Sequence, residues 1–482
     1  MRIALLAPVG TLVLSTLLLS APARAQDACL TGDSTLGDQR ALAALGDASE
    51  AACPCADAAS GKTYQRCAKN VLSQILADGT LRPECEKTAK AIVCGTSCGA
   101  NTVPCGIVPV GARDDATGCK LGRPKSCENA RRALQTACTD ETSCDDVVTW
   151  TAGTCFDPRD EGPYSPGVKV MSWTKDSAAS PGTPRTLDTV VWYPAPKGSG
   201  PIDSSYRAVV DAPLEPTGGP YPVVLFSHGS CGYPLQSTFL TPLLASRGFI
   251  VLAPPHPGNT IFEFPTCGTT NAQVQSFIER PKDMSFVLDQ ILAAGRDPSS
   301  PFFGAVDGSR VAMTGHSFGG LTTFLVAAQD PRVGVAVAMA PATPTNAKLT
   351  IPSLIMLGNI DSVVNLPAAR QAYAASSTPK MLVEIEHAGY YAFSNGCFPS
   401  PDCNPPTTLT QAEANADVLR YVVPFLERYL ALDVALVPLL GPPTAARDSS
   451  IKPNCDTRLG RVRGSLRSAR AVPQFVKLCR VG

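Results

Sequence analysis

A chain of 482 residues with 44% hydrophobic and 17% charged side chains is ordinary globular material, long enough for two to four domains. Its 41 basic and 41 acidic residues cancel, so no long-range field attracts a polyanion, and nucleic acid is excluded as the expected partner. Only four histidines are present, and each can be weighed singly.

Residues 1–25 read as an export signal. Arg2 supplies the charge, residues 3–19 form an apolar run broken by Pro8, and Ala23-Arg24-Ala25 offers small residues at a cleavage site. The run is short for a membrane span and lacks a stop-transfer flank. The expected product is an exported chain, extracellular or periplasmic, with no transmembrane segment after cleavage near Gln26.

Residues 26–155 form a second region, holding thirteen of the 19 cysteines, from Cys29 to Cys155. Such density in an oxidising compartment means disulfides. Zinc is the rival, because Cys53 and Cys55, and Cys94 and Cys98, are closely spaced. The cluster lacks histidine and paired C-x-x-C knuckles, so no metal is expected. The odd total leaves at least one thiol free or bonded between chains. Large apolar side chains are few, so this is expected to be a small disulfide-stapled module. Helical spacing predicts helices at 65–78 and 127–137.

From about residue 167, within a region set at 156–440, strands alternate with helices. Residues 168–173 and 187–193 alternate as antiparallel strands do. Residues 223–226, 249–252, 311–313, 333–339, 354–357 and 381–385 are apolar runs, as strands buried on both faces require. Helices are predicted at 237–246, 281–294, 321–328, 367–375 and 411–430, the second with Pro281 in its first turn. The pattern means a mainly parallel sheet flanked by helices. Residues 441–482 carry Arg458, Arg461, Arg463, Arg467 and Arg470, with Cys455 and Cys479 near the ends. They read as a solvated basic tail held by one disulfide, with association to an anionic surface as the alternative.

The chemistry concentrates in Gly315-His316-Ser317-Phe318-Gly319, between a strand and a helix. This is the context of a G-x-S-x-G elbow, which exposes Ser317 as a nucleophile and leaves backbone N–H groups near a developing oxyanion. One oxyanion donor would be Phe318 N–H. The other would be Ser230 N–H, in the loop Ser227-His228-Gly229-Ser230-Cys231-Gly232. Asp361 directly follows the strand at 352–357 and is the expected acid; His387 follows the next strand and is the expected base. In that scheme His387 takes the serine proton while Asp361 fixes its tautomer. His228 reads as a structural residue of its loop. His256, in Pro254-Pro255-His256-Pro257, reads as structural, with the pocket mouth as the alternative. Cys231 with Cys267, and Cys397 with Cys403, are candidate pairs.

Residues 222–257, PVVLFSHGSCGYPLQSTFLTPLLASRGFIVLAPPHP, resemble the oxyanion-loop region of platelet-activating-factor acetylhydrolases and dienelactone-hydrolase-like esterases. RPKDMSFVLDQIL at 280–292 and GHSFGG at 315–320 extend that likeness. IPSLIMLGNIDSVV at 351–364 is similar to the acid-bearing strand of bacterial cutinases, including polyester hydrolases. The resemblance covers roughly residues 167–432. It implies an α/β-hydrolase fold and a cofactor-free serine ester hydrolase acting on a small-molecule, lipid or polyester ester. Two departures stand out. The acetylhydrolases carry their acid after the preceding strand, where this chain has Ala340-Pro341, so Asp361 follows the cutinase arrangement. The relatives also carry histidine in a motif like A-G-H-F, where this chain reads Ala388-Gly389-Tyr390-Tyr391. Tyr390 holds the histidine's position, with His387 three residues earlier. The alternative function is therefore a decayed hydrolase scaffold that binds through its cysteine-rich module.

Overall fold

Continuous apolar runs become the middle of one ten-stranded sheet. A computed structural model describes residues 28–29, 35–53, 60–94, 159–397, 403–405 and 407–430. It also describes the backbone strands 103–109, 118–122, 133–137, 150–151, 154–155 and 451–456. The export signal, much of the cysteine-rich region and most of the basic tail lie outside the described residues.

The sheet is built from β1 (Ser165–Asp176), β2 (Pro184–Ala195), β3 (Val209–Val210), β4 (Tyr221–Ser227) and β5 (Ile250–Ala253). It continues with β6 (Val306–His316), β7 (Val333–Met339), β8 (Ser353–Gly358), β9 (Lys380–Ile385) and β10 (Ile451–Asp456). Their spatial order is β10-β9-β8-β7-β6-β4-β5-β2-β1-β3. The six strands from β9 to β5 run parallel, with register shifts near Val311 where β6 meets β7 and β4, and are flanked by antiparallel β10 on one side and by β2 on the other. Parallel strands need crossover helices on both faces, and those helices bury both faces. Hence β4 and β5 are buried at every residue.

The crossovers are α1 (Thr241–Ser246), α2 (Thr270–Ala294), α3 (Phe318–Gln329), α4 (Leu366–Ala375) and α5 (Gln411–Leu430). One face packs Val224, Phe226, Val251, Val337 and Met356 under α1 and α5, with Val418, Val422 and Phe425. The other packs Val223, Leu225, Ile250 and Met313 under α2, with Met284, Val287, Leu288 and Ile291. The sequence reading placed Pro281 in the first turn of a helix. Instead α2 starts eleven residues earlier, N-capped by Thr269, and Pro281 lies inside it. The added turns carry exposed Val274, Phe277 and Ile278, so they show no core-facing stripe to read.

Towards the N-terminus, helices Thr35–Ala52, Gly61–Ala77 and Glu86–Cys94 pack Leu42, Leu45, Leu72, Leu81 and Ala89 into a small core. Disulfides Cys29–Cys85 and Cys53–Cys67 staple it, and Arg82 grips buried Asp38 through two hydrogen bonds of 2.7 and 2.6 Å. The helix expected at 65–78 is thus present at Gly61–Ala77. The helix expected at 127–137 is corrected: Ala133–Ala137 is a strand, antiparallel to Val103–Pro109. Strand pairing overrides local spacing in so short a segment. Strand β10 falls inside the segment expected as a tail and extends the sheet antiparallel to β9.

Candidate functional site

At the end of β6 the chain reverses from strand to helix through one residue. Ser317 has φ 59° and ψ −115°, a conformation costly for any residue with a Cβ and one that projects its side chain from the turn. The surroundings hold it there. Ser317 N–H donates to Met339 O at 2.9 Å, and its carbonyl accepts from Leu321 and Ala342. The flanking glycines are forced by contact. A Cβ at Gly315 would sit 2.4 Å from Gly319 O, and one at Gly319 would sit 1.8 Å from Ser227 O. The elbow thus docks directly onto the end of β4.

Beyond β4 runs the loop 227–232. A Cβ at Gly229 would lie 3.5 Å from Ser317 Cβ, so this loop borders the serine. Arg280, wholly buried on α2, donates from Nη1 to His228 O and from Nη2 to Gly229 O (3.0 Å) and Asn259 Oδ1. Because a trans peptide is planar, fixing Gly229 C=O on Arg280 directs Ser230 N–H the opposite way. The guanidinium also lies 4.6 Å from the Phe318 ring centroid. Burial pulls its pKa down to about 9, which leaves it cationic at neutral pH. The Ser230 hydroxyl accepts from Gln273 (2.6 Å) and Asn259 (3.2 Å), and disulfide Cys231–Cys267 ties the loop to the segment before α2. Cys397–Cys403 is also formed. Ile261, Phe262 and Phe264 stand exposed on the stapled segment, Phe262 at 83%.

His316 connects the parts. Its Nδ1 accepts from Gln236 Nε2 at 2.8 Å, and its Nε2 lies 3.1 Å from Tyr390 O, which fixes the Nε2–H tautomer. The same Gln236 accepts from Gly229 N–H at 2.8 Å. Burial pushes His316 down to about 4, so it is neutral.

Asp361 is buried in the turn after β8, where its Oδ1 accepts from Val363 N–H (2.7 Å) and Val364 N–H (3.0 Å). This turn is zipped to the loop after β9: Ile360 N–H donates to Ala388 O, and Asn359 Oδ1 accepts from His387 N–H. His387 has φ 58°, and its carbonyl accepts from Leu409 N–H. Among the described residues no hydrogen bond joins its imidazole to Ser317. Tyr390, nine per cent exposed, lies in the same loop with its ring 4.6 Å from that of His316, the neighbour of Ser317. Burial pushes its phenol up to about 12.

The remaining histidines are structural. His256 is fully buried, with Nδ1 2.9 Å from Asp283 Oδ2 and Nε2 2.9 Å from Ser227 Oγ. Its ring lies 5.0 Å from that of His228, also buried. Burial and the nearby Arg280 hold both imidazoles well below their ordinary range, hence neutral. Asp283 is further held by Arg185 at 2.9 and 2.7 Å and by Lys175 at 3.2 Å.

Residues 212–455, just over half of the chain, match the family model described as PETase: PET hydrolase-like. The chain belongs to the PET hydrolase-like family. It is an α/β-hydrolase of the cutinase group, as the resemblance implied. Cutinase est1 of Thermobifida alba is 27% identical over 180 residues, 36% of this chain and 54% of that protein. The bis(hydroxyethyl) terephthalate hydrolase of Streptomyces coelicolor is 24% identical over 238 residues, 48% of this chain and 64% of that protein. The chain thus spans about half the length of the cutinases that it matches. A ferulic acid esterase structure from Streptomyces cinnamoneus aligns with 60% of this chain and 96% of its own, at 25% identity and TM-score 0.49. Within this PET hydrolase-like fold, Arg280, Gln236 and His316 went unread in the sequence as site residues. His316 is the variable position of the elbow, and the other two lie far from it in the chain.

Proposed function

We propose that this chain is an exported carboxylic-ester hydrolase that works through an acyl-enzyme on Ser317. The observation that carries the reading is the strained Ser317 elbow beside the oxyanion loop, in a PET hydrolase-like chain. Ser317 Oγ attacks the ester carbonyl. The N–H groups of Phe318, at the start of α3, and Ser230 receive the oxyanion. Asp361 supplies the acid, facing the loop that follows β9. The exposed Phe262 and Phe264 beside the oxyanion loop suit a hydrophobic ester, lipid or polyester. Export is supported by the N-terminal apolar run and by four disulfides among the described residues.

The test is hydrolysis of p-nitrophenyl esters by the disulfide-intact protein, with fluorophosphonate labelling alongside. Ser317→Ala is expected to lose at least about 10³-fold in rate and all labelling. Turnover that survives Ser317→Ala would remove the serine mechanism. A second reading, a decayed scaffold retained for binding, is favoured by tyrosine at the family's histidine position. Silence of the wild type at every pH would support it.

A further inference from the structure

Beside the loop 227–232 a second serine, histidine and carboxylate stand in line. Ser227 Oγ is 2.9 Å from His256 Nε2, and His256 Nδ1 is 2.9 Å from Asp283 Oδ2. Such a chain of groups can activate a serine nucleophile. Here all three residues are fully buried, so no ester reaches Ser227 Oγ. The protons follow from the partners. Asp283 Oδ1 accepts from Arg185 Nε (2.9 Å) and lies 3.2 Å from Lys175 Nζ, while Oδ2 accepts from Arg185 Nη2 (2.7 Å). A carboxylate only accepts, so His256 carries its proton on Nδ1, and its Nε2 accepts from the Ser227 hydroxyl. Burial and the cations of Arg280, Arg185 and Lys175 keep the ring neutral, as that arrangement requires.

Ser227 is where the loop leaves the sheet. It ends β4 opposite Gly315 of β6, and its carbonyl leaves no room for a Cβ at Gly319. Its Oγ lies 3.4 Å from Arg280 Nη1, which also holds the His228 carbonyl. Arg280 Nη2 and His228 Nδ1–H together hold the Gly229 carbonyl. We propose that Ser227, His256 and Asp283 are positioning residues for the Ser317 reaction, fixing the loop 227–232 so that Ser230 N–H meets the oxyanion. The inference rests on the ester-hydrolase reading above. Without the Ser227 hydroxyl, the Nε2 lone pair of His256 loses its donor. The vacated place adjoins Arg280 Nη1, and a turn of that N–H toward the ring releases the His228 carbonyl and frees the peptides that follow. Asp283→Asn disturbs the same chain from its far end. The amide oxygen keeps the side with two obligate donors, Arg185 Nε and Lys175, so the amide nitrogen faces His256 Nδ1. The ring must then carry its proton on Nε2, pointing at Ser227.

The experiment measures kcat and KM for a p-nitrophenyl ester and the affinity for phenylboronic acid, whose tetrahedral adduct on Ser317 mimics the oxyanion. Nitrogen-15 NMR of the four histidine rings, with His256 assigned through His256→Gln, reads the tautomer. Wild-type His256 is expected as Nδ1–H, and as Nε2–H in Asp283→Asn. Ser227→Ala is expected to lower kcat about 10–10²-fold, part of the effect of deleting an oxyanion donor, with KM within about twofold. Boronic acid affinity should fall by the same factor as kcat. Wild-type kcat in Ser227→Ala, or a loss that boronic acid affinity does not follow, overturns the positioning role and leaves the ester hydrolase standing. An Nε2–H tautomer of His256 in the wild type does the same. Absence of any Ser317-dependent turnover in the wild type brings down both.

Discussion

His316 is the residue on which three loops converge. Gln236 links it to Gly229 in the loop 227–232, Tyr390 presents its carbonyl to it, and its own backbone adjoins Ser317. Replacing it with leucine keeps the apolar bulk but leaves the Gln236 amide and the Tyr390 carbonyl without their partner. Each such orphan costs about 1–3 kcal/mol, so His316→Leu should lower the urea midpoint and depress kcat more than it raises KM. An unchanged midpoint would mean that the two groups find other partners. The elbow itself was legible at this scale, because strand, glycines, serine and helix follow one another within ten residues. The position of Asp361, in the turn directly after a strand, was legible for the same reason. Tyr390 was visible as a departure from the family pattern, but spacing alone did not place the loop that carries His387 and Tyr390. That loop is pinned by Asn359 and Leu409, 28 residues before and 22 after His387, and no local pattern encodes such contacts.

At the scale of elements, the site is assembled by α2 and the segment before it. The six parallel strands of the sheet were legible from buried apolar runs alternating with amphipathic stretches, whereas β3 and β10 were not. The early start of α2 was not, since its first turns face away from the core and Pro281 mimics a start. What α2 delivers is Arg280, which holds two carbonyls of the loop 227–232, and Asp283, which holds His256 against Ser227. Disulfide Cys231–Cys267 closes a span of 36 residues across the same junction. A loop of that size is worth roughly 2–4 kcal/mol through the unfolded chain. The Cys231→Ser/Cys267→Ser double variant is therefore expected to lose about that much stability in urea. It should also lose turnover, because Ser230 adjoins the bridge. Full activity with reduced stability would show that Arg280 alone sets the loop.

The whole molecule responds to acid through its buried imidazoles. His228, His256 and His316 are all neutral and enclosed, and burial is the leading cause of each lowered pKa. The sign follows from proton uptake. Above about pH 6.5 neither folded nor unfolded histidine binds a proton, so these groups contribute no pH dependence. Below that value the unfolded chain binds protons that the folded chain excludes, and stability falls with pH. The loss attributable to His316 ends near its folded pKa of about 4, where the native state also protonates. A shift of that size corresponds to about 3 kcal/mol for this one group. Glu279, held down to about 2 by Ser177, Ala179 and Lys175 against the cost of burial, acts in the same direction at lower pH. Its contribution is complete above its unfolded value near 4.5 and is lost as pH falls towards 2. Unfolding free energies in urea are therefore expected to be level from pH 8 to 7 and to drop by several kcal/mol between pH 6.5 and 4. In His316→Leu the pH slope should be shallower even though the variant starts lower. A wild-type stability that stays flat down to pH 5 would mean that water or a rearranged partner reaches these rings, and the neutral state assigned to all three would have to be withdrawn.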